Sequence, residues 1–209
     1  MEISLKGPNT LGLLGLMVAN LAVFYSLTQY NEILTENWVN FASSYKSAFP
    51  AGLGLALTGI LNAQLSPTTK ARIVFMRWEN ALPGCEAFTR HALNDPRINL
   101  TALEQAYGPF PTDPRKQNEL WYQLYKSIRS DPAVTQVHRA FLFARDYTGL
   151  ALMMGLVLGI AGYFQIPSTG TALAYIMVLG LQFLLAGQAA RNHGKRFVTT
   201  VLALKSTGQ

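Results

Sequence analysis

YTGLALMMGLVLGIAGYFQIPSTGTALAYIMVLGLQFLLAGQAA, running from Tyr147 to Ala190, contains no Asp, Glu, Lys, Arg or His. A helix crossing the hydrocarbon core of a bilayer needs about 20 predominantly apolar residues, so this stretch is long enough for two crossings. Ile166-Pro167-Ser168-Thr169-Gly170 in its middle reads as a turn. That divides it into spans over Tyr147–Ile166 and Thr171–Ala189. Outward from there, Gly7–Asn31 and Ser47–Thr69 are also free of charge and predict spans over Thr10–Tyr30 and Phe49–Leu65. The expected fold is therefore all-α: an integral membrane four-helix bundle, with a small helical cytoplasmic subdomain between the second and third spans.

Composition agrees with that reading. Half of the 209 residues are hydrophobic and 13% are charged, where a soluble chain carries about 25%. Lys6 is the only cation ahead of the first apolar run, and Asn20 and Tyr25 stand where a cleavage site would need small residues. The first span is therefore expected to be retained rather than cleaved as a signal peptide. Cys85 is the single cysteine, which excludes an internal disulfide, and no ligand spacing for zinc occurs.

The positive-inside rule sets the expected orientation. With the N-terminus inside, the first outer loop carries Glu32, Glu36 and one cation, Lys46, and the loop around Pro167 carries no charge. Residues 66–146 then hold eleven Lys/Arg and eight Asp/Glu on the cytoplasmic side, and residues 191–209 add Arg191, Lys195, Arg196 and Lys205 as a basic cytoplasmic tail. The expected localisation is a bacterial inner membrane, multi-pass, with both termini cytoplasmic. Residues 1–65 and 147–190 form the two membrane parts of this division. Trp38, Phe41 and Tyr45 in the first outer loop fit the headgroup level.

Helix punctuation organises the segment between the second and third spans. Pro67 starts a helix expected to carry Lys70, Arg72 and Arg77, with Leu82-Pro83-Gly84 breaking it. Thr101 and Glu104 have capping-box spacing ahead of a short helix that Gly108 ends. Asp113 with Pro114 starts another helix, whose apolar face carries Leu120, Trp121, Leu124, Tyr125 and Ile128. Asp131 with Pro132 repeats the signal, and no breaker follows before Gly149. One helix from Pro132 into the third span is the expectation.

Small residues recur at four-residue spacing: Gly15 and Ala19; Ala48, Gly52 and Ala56; Gly59 and Ala63; Ala151, Gly155 and Gly159. Such stripes let membrane helices approach closely, either within one bundle or between the subunits of a homo-oligomer. The polar residues at membrane depth are Asn20, Thr58, Asn62 and Gln182, suited to interhelical hydrogen bonds or to lining a simple pore. No ionisable residue stands at the centre of a span, which argues against ion-coupled transport.

Catalytic motifs fail in turn. There is no nucleophile elbow, no H-E-x-x-H, and no phosphate-binding Gly-Lys-Ser/Thr loop. Cys85 reads as structural, and His138 and His193 as solvated or headgroup-facing. No enzyme, metal or cofactor is expected. The cytoplasmic segment instead interleaves cations and aromatics: Arg72, Arg77, Arg90, Arg97, Arg115, Lys116, Trp121, Tyr125, Lys126 and Arg129. Cations capture phosphates and aromatic faces stack on bases, so a nucleotide or single-stranded oligonucleotide fits this mixture. Anionic lipid headgroups and a cytosolic protein partner fit it as well.

Arg77-Trp78-Glu79-Asn80-Ala81-Leu82-Pro83-Gly84-Cys85-Glu86-Ala87-Phe88, with Gln117-Asn118-Glu119-Leu120-Trp121-Tyr122 further on, looks like segments of bacterial membrane proteins. Together with the four-span architecture and its basic cytoplasmic insert, the chain resembles the small membrane effectors of bacterial anti-phage defence systems. The resemblance implies an oligomeric inner-membrane channel or membrane-perturbing effector, gated by a nucleotide-like signal from a separate sensor. It assigns no functional residues. The competing expectation is a non-catalytic membrane anchor that recruits a cytosolic enzyme or sensor.

Overall fold

α1 occupies Gly7–Thr28, and its uncharged sequence lets all 22 residues continue as one helix, about 33 Å long at 1.5 Å per residue. The computed structural model describes residues 7–29, 56, 60 and 63–208, and among them the regular structure is entirely helical. Most of the expected second span, the loop aromatics Trp38, Phe41 and Tyr45, the small residues Ala48, Gly52 and Gly59, and the polar residues Thr58 and Asn62 lie outside the described residues.

After α2 (Pro67–Phe75) come three short turns of 3-10 and π type: Pro83–Glu86, Ala87–His91 and Ala92–Asn94. Then follow α3 (Leu100–Tyr107), α4 (Pro114–Ser127), α5 (Pro132–Gln165) and α6 (Thr169–Ser206). Three helices among the described residues are long and apolar enough to cross a membrane: α1 over Asn9–Thr28, α5 and α6. At 34 and 38 residues, α5 and α6 measure roughly 51 and 57 Å. Both exceed the ~30 Å of a hydrocarbon core.

The helix starts follow the local chemistry. Asp113 Oδ1 accepts the Lys116 N–H at 2.9 Å with Pro114 at the first position of α4, and Asp131 Oδ1 accepts the Ala133 N–H at 2.8 Å at the start of α5. Each satisfies an N–H that has no partner inside the helix. Two expectations need correction. α3 is capped by Asn99, whose Oδ1 accepts the Ala102 N–H at 3.0 Å, so Thr101 is already helical and the capping box is not used. α2 ends at Phe75 because Met76 takes φ +51°, which removes Arg77 from that helix. Asn80, at φ +50°, turns the chain a second time. Gly108, at φ +82°, ends α3 as expected.

The chain divides into two units. The first holds residues up to Ser66 and Asp146–Ala186; the second holds Pro67–Arg145 and Gly187–Gln209. The core of the first unit packs Met17 and Leu21 of α1 with Leu150, Met154 and Leu158 of α5 and Tyr175 and Leu179 of α6. At Gly162 α5 runs close to α6: a Cβ there would stand 3.1 Å from Tyr175 Cδ1, tighter than an ordinary contact. Asn20 donates to the Leu16 carbonyl at 2.8 Å and Gln182 donates to the Tyr147 hydroxyl, so both amides are paired within this unit. Large apolar side chains such as Ile160, Phe164, Met177 and Leu185 remain exposed on its surface, which suits hydrocarbon as solvent.

The core of the second unit joins Phe88, Leu103, Trp121, Leu124, Val134 and Phe141 to Phe197, Val198, Val201 and Leu202. The residues after Ala190, read from the sequence as a basic tail, therefore continue α6 and supply one wall of this core. Phe197 is its aromatic hub. Trp121 meets its ring edge-on at 5.1 Å and His138 stacks on it at 4.6 Å. His138, whose Nδ1 also lies 3.1 Å from the Tyr125 hydroxyl, is a partly buried member of this cluster rather than a solvated side chain.

Candidate anion-binding site

The second unit carries a cavity of about 460 Å³, within the ~300–1,000 Å³ typical of small-molecule sites. Its walls come from the end of α2, the turn segment and the stretch of α6 from Gln188 to Lys195. Four cations face it: Arg77, Arg90, Arg191 and Lys195. Glu86 is the carboxylate among them, and His91 also lines the wall. Phe75 and Met76 provide an apolar edge, while Asn94, Gln188 and Asn192 supply neutral donors and acceptors.

The cations are placed by specific contacts. Met76 and Asn80, both left-handed, turn Arg77 back toward Glu86, which it meets at 2.5 Å. Arg90, one helical turn beyond Glu86, donates to the other carboxylate oxygen at 3.0 Å. Burial alone raises the Glu86 carboxyl, but the two arginine hydrogen bonds outweigh it and hold the group below its usual range. Both arginines keep substantial exposure, 42% and 62%, so an anion can reach them. Arg191 donates to the Val74 carbonyl at 2.6 Å, satisfying an acceptor left over at the end of α2. Among the described residues Lys195 has no ion-pair or hydrogen-bond partner, and its side chain is exposed.

His91 is 8% exposed. Burial drives its pKa down from 6.5 to about 4, and Arg90, Lys195 and Arg77 push the same way against Glu86. The ring is therefore neutral at pH 7, and the charge facing the cavity is that of four cations and one carboxylate. Cys85 is buried and burial raises its thiol, the opposite of what activates a cysteine.

The sequence-derived site residues separate into three groups. Arg77 and Arg90 reach the cavity. Trp121 and Tyr125 are taken up by the core, so neither ring presents a free face for stacking. The remaining cations are dispersed over the surface. Arg72 covers the exposed ring of Trp78 at 5.4 Å, Lys126 lies over Tyr122, and Arg97 forks onto Asp95 at 2.7 and 2.9 Å. Arg115, Lys116 and Arg129 are exposed on or after α4 and outside the cavity wall.

Arg191 and Lys195 are the residues that sequence reasoning missed. The signal was present: Phe197, Val198, Val201 and Leu202 repeat at helical spacing, the pattern of a helix with one buried face. That continuation puts Arg191 and Lys195, four apart, on a common face. Among the described residues no His/Cys/Asp/Glu group capable of holding a metal occurs. Comparison of the chain with protein-family models, with curated proteins and with solved structures finds no match in any of the three.

Proposed function

We propose that the protein is a homo-oligomeric membrane channel or membrane-perturbing effector, opened by an anionic ligand bound at its cytoplasmic unit. The observation that carries this reading is the continuity of α5 and α6. Each runs without a break from an apolar segment of membrane-spanning length into the second unit, and α6 itself bears Arg191 and Lys195. A ligand that repositions those two side chains acts on a helix that also belongs to the membrane part. Assembly is supported by Gly15 and Gly155, where no described atom lies within 4 Å of a would-be Cβ. Small residues left open in this way allow helices from neighbouring subunits to approach closely.

In this reading the residues around Phe49–Leu65 supply a fourth span, both termini face the cytoplasm, and the membrane is a bacterial inner membrane. Charge asymmetry supports the orientation, and the uncharged length of Ser47–Thr69 supports the fourth span. A role in anti-phage defence follows from the resemblance in architecture. Planar-bilayer recording of the purified protein, with and without nucleotides, tests the proposal. Ligand-dependent conductance is expected, and an absence of conductance under every ligand sinks it.

Exposed apolar side chains on the second unit favour a second reading. Trp78 is 79% exposed and Leu93 64%, and such residues suit a protein partner. A stoichiometric cytosolic partner in a pull-down, with membrane potential unchanged on overexpression, would identify an anchor subunit instead.

A further inference from the structure

We propose that the cavity between α2, the turn segment and the Gln188–Lys195 stretch of α6 is a receptor site for a phosphoester carrying at least two negative charges, and that Glu86 occupies its arginines until the ligand arrives. The inference rests on the reading of this cavity as the ligand site and adds the chemical class of the ligand and the device that gates it.

Charge matching selects the class. Four cations against one carboxylate leave a formal surplus of three positive charges around one cavity. A monocarboxylate would leave most of that surplus unanswered, whereas a phosphate monoester brings about −1.5 to −2 at neutral pH and three acceptor oxygens. Geometry admits such a group, and what separates it from a polycarboxylate is charge density, up to about two charges and three acceptor oxygens on one phosphoryl group. Arg77 and Arg90 converge on the two oxygens of one carboxylate, and guanidinium forks match the oxygens of a phosphate as well as those of a carboxylate. Lys195, unpaired, supplies a point charge for a further oxygen. The volume exceeds what a bare phosphate fills, and Asn94, Gln188 and Asn192 offer donors and acceptors for a polar organic group attached to it. Glu86 thus holds the place of one phosphoryl group, and an arriving phosphoester competes with it for the same two arginines.

A soluble nucleotide-like molecule and a phospholipid headgroup share this chemistry, and the test separates them. Full-length protein is reconstituted in phosphatidylcholine nanodiscs and titrated calorimetrically with ATP, with inorganic pyrophosphate, and with citrate as a polycarboxylate control. ATP and pyrophosphate are expected to bind, citrate at least about tenfold more weakly. Lys195→Gln, at an exposed position without partners, is expected to weaken binding about tenfold, the scale of one charge-assisted contact. Arg90→Gln should do the same, and Glu86→Gln should tighten binding several-fold by releasing both arginines. Nanodiscs containing phosphatidic acid, whose headgroup is a phosphate monoester, form the second arm. If they reduce ATP affinity in the wild type and not in Lys195→Gln, the phosphoester is a lipid headgroup; if they leave it unchanged, it is a soluble molecule.

The proposal is overturned if neither phosphate probe binds at millimolar concentration, if citrate binds equally well, or if Lys195→Gln and Arg90→Gln leave affinity unchanged. Binding without ligand-dependent conductance would remove the channel and leave the site. Conductance without phosphate binding would remove the site and leave the channel.

Discussion

The side-chain oxygen of Gln117, on α4, accepts the backbone N–H of Phe88 at 3.1 Å, across 29 positions of sequence. The same oxygen accepts from the Thr89 N–H and hydroxyl, both at 3.2 Å, and the Gln117 amide donates to the Thr112 carbonyl at 3.1 Å. The side chain is 1% exposed. The π turn Ala87–His91 lies beside the cavity and cannot pair all its amides internally, so one glutamine from α4 answers them. Arg90 and His91 are thereby held where the cavity needs them.

Replacing Gln117 by Leu keeps the volume and removes the acceptor. Buried N–H groups left unpaired cost about 1–3 kcal/mol each. Gln117→Leu is expected to lower the stability of the second unit by about 2–3 kcal/mol, read by chemical denaturation of the detergent-solubilised protein. A stability equal to wild type would show that water satisfies these amides in its absence.

Gly84 tests the packing beside this clamp. A Cβ there would stand 2.5 Å from Asn118 Oδ1 and 2.8 Å from Trp121 Cε3. Trp121 is 5% exposed and held by the Phe197 cluster, so it has little room to retreat. Gly84→Ala is expected to cost about 1–3 kcal/mol, the usual scale of overpacking. Thermal melts should show it, with Gly108→Ala as a contrasting site where space is open and only backbone strain at φ +82° acts.

What could be read in the sequence was local. The turn at Ile166-Pro167-Ser168, the Asp113-Pro114 and Asp131-Pro132 starts and the unbroken α5 each depend on a few adjacent residues, and each stands where expected. The end of α2 was not legible, because Met76 and Asn80 turn left-handed without the glycine that normally announces it. The role of Gln117 has no local sequence signal, because it exists only once the turn segment is folded against α4. The cavity was half legible for the same reason. Arg77 and Arg90 were visible as cations, but their partners Arg191 and Lys195 lie about a hundred residues further on, and only tertiary structure joins the two sets.

Phe197 decides whether the end of α6 is structural. Its ring is 4% exposed and meets Trp121, Tyr125, His138 and Phe141. Phe197→Ala is expected to cost about 3–5 kcal/mol, the scale of a large aromatic removed from a core. Limited proteolysis should then cut the second unit while the apolar helices stay protected. Lys205→Ala, at the far end of the same helix, should leave the digestion pattern unchanged.

Acid should loosen the second unit through His91. In the folded chain this ring stays neutral down to about pH 4, while in the unfolded chain it takes its proton at its ordinary 6.5. Between those values the unfolded state binds more protons, so protonation favours unfolding. The stabilisation is complete above about pH 6.5 and is lost as pH falls toward 4. Burial is the main cause, reinforced by Arg90, Lys195 and Arg77 and opposed by Glu86. His91→Gln, which cannot titrate, is expected to flatten the slope of melting temperature against pH across this window, whatever it does to the absolute stability. A bound polyanion would offset the surrounding cations and raise the His91 pKa. The imidazole resonances of His91 should therefore titrate at higher pH with pyrophosphate bound than without it. An identical slope in wild type and His91→Gln would mean that another group controls the acid response.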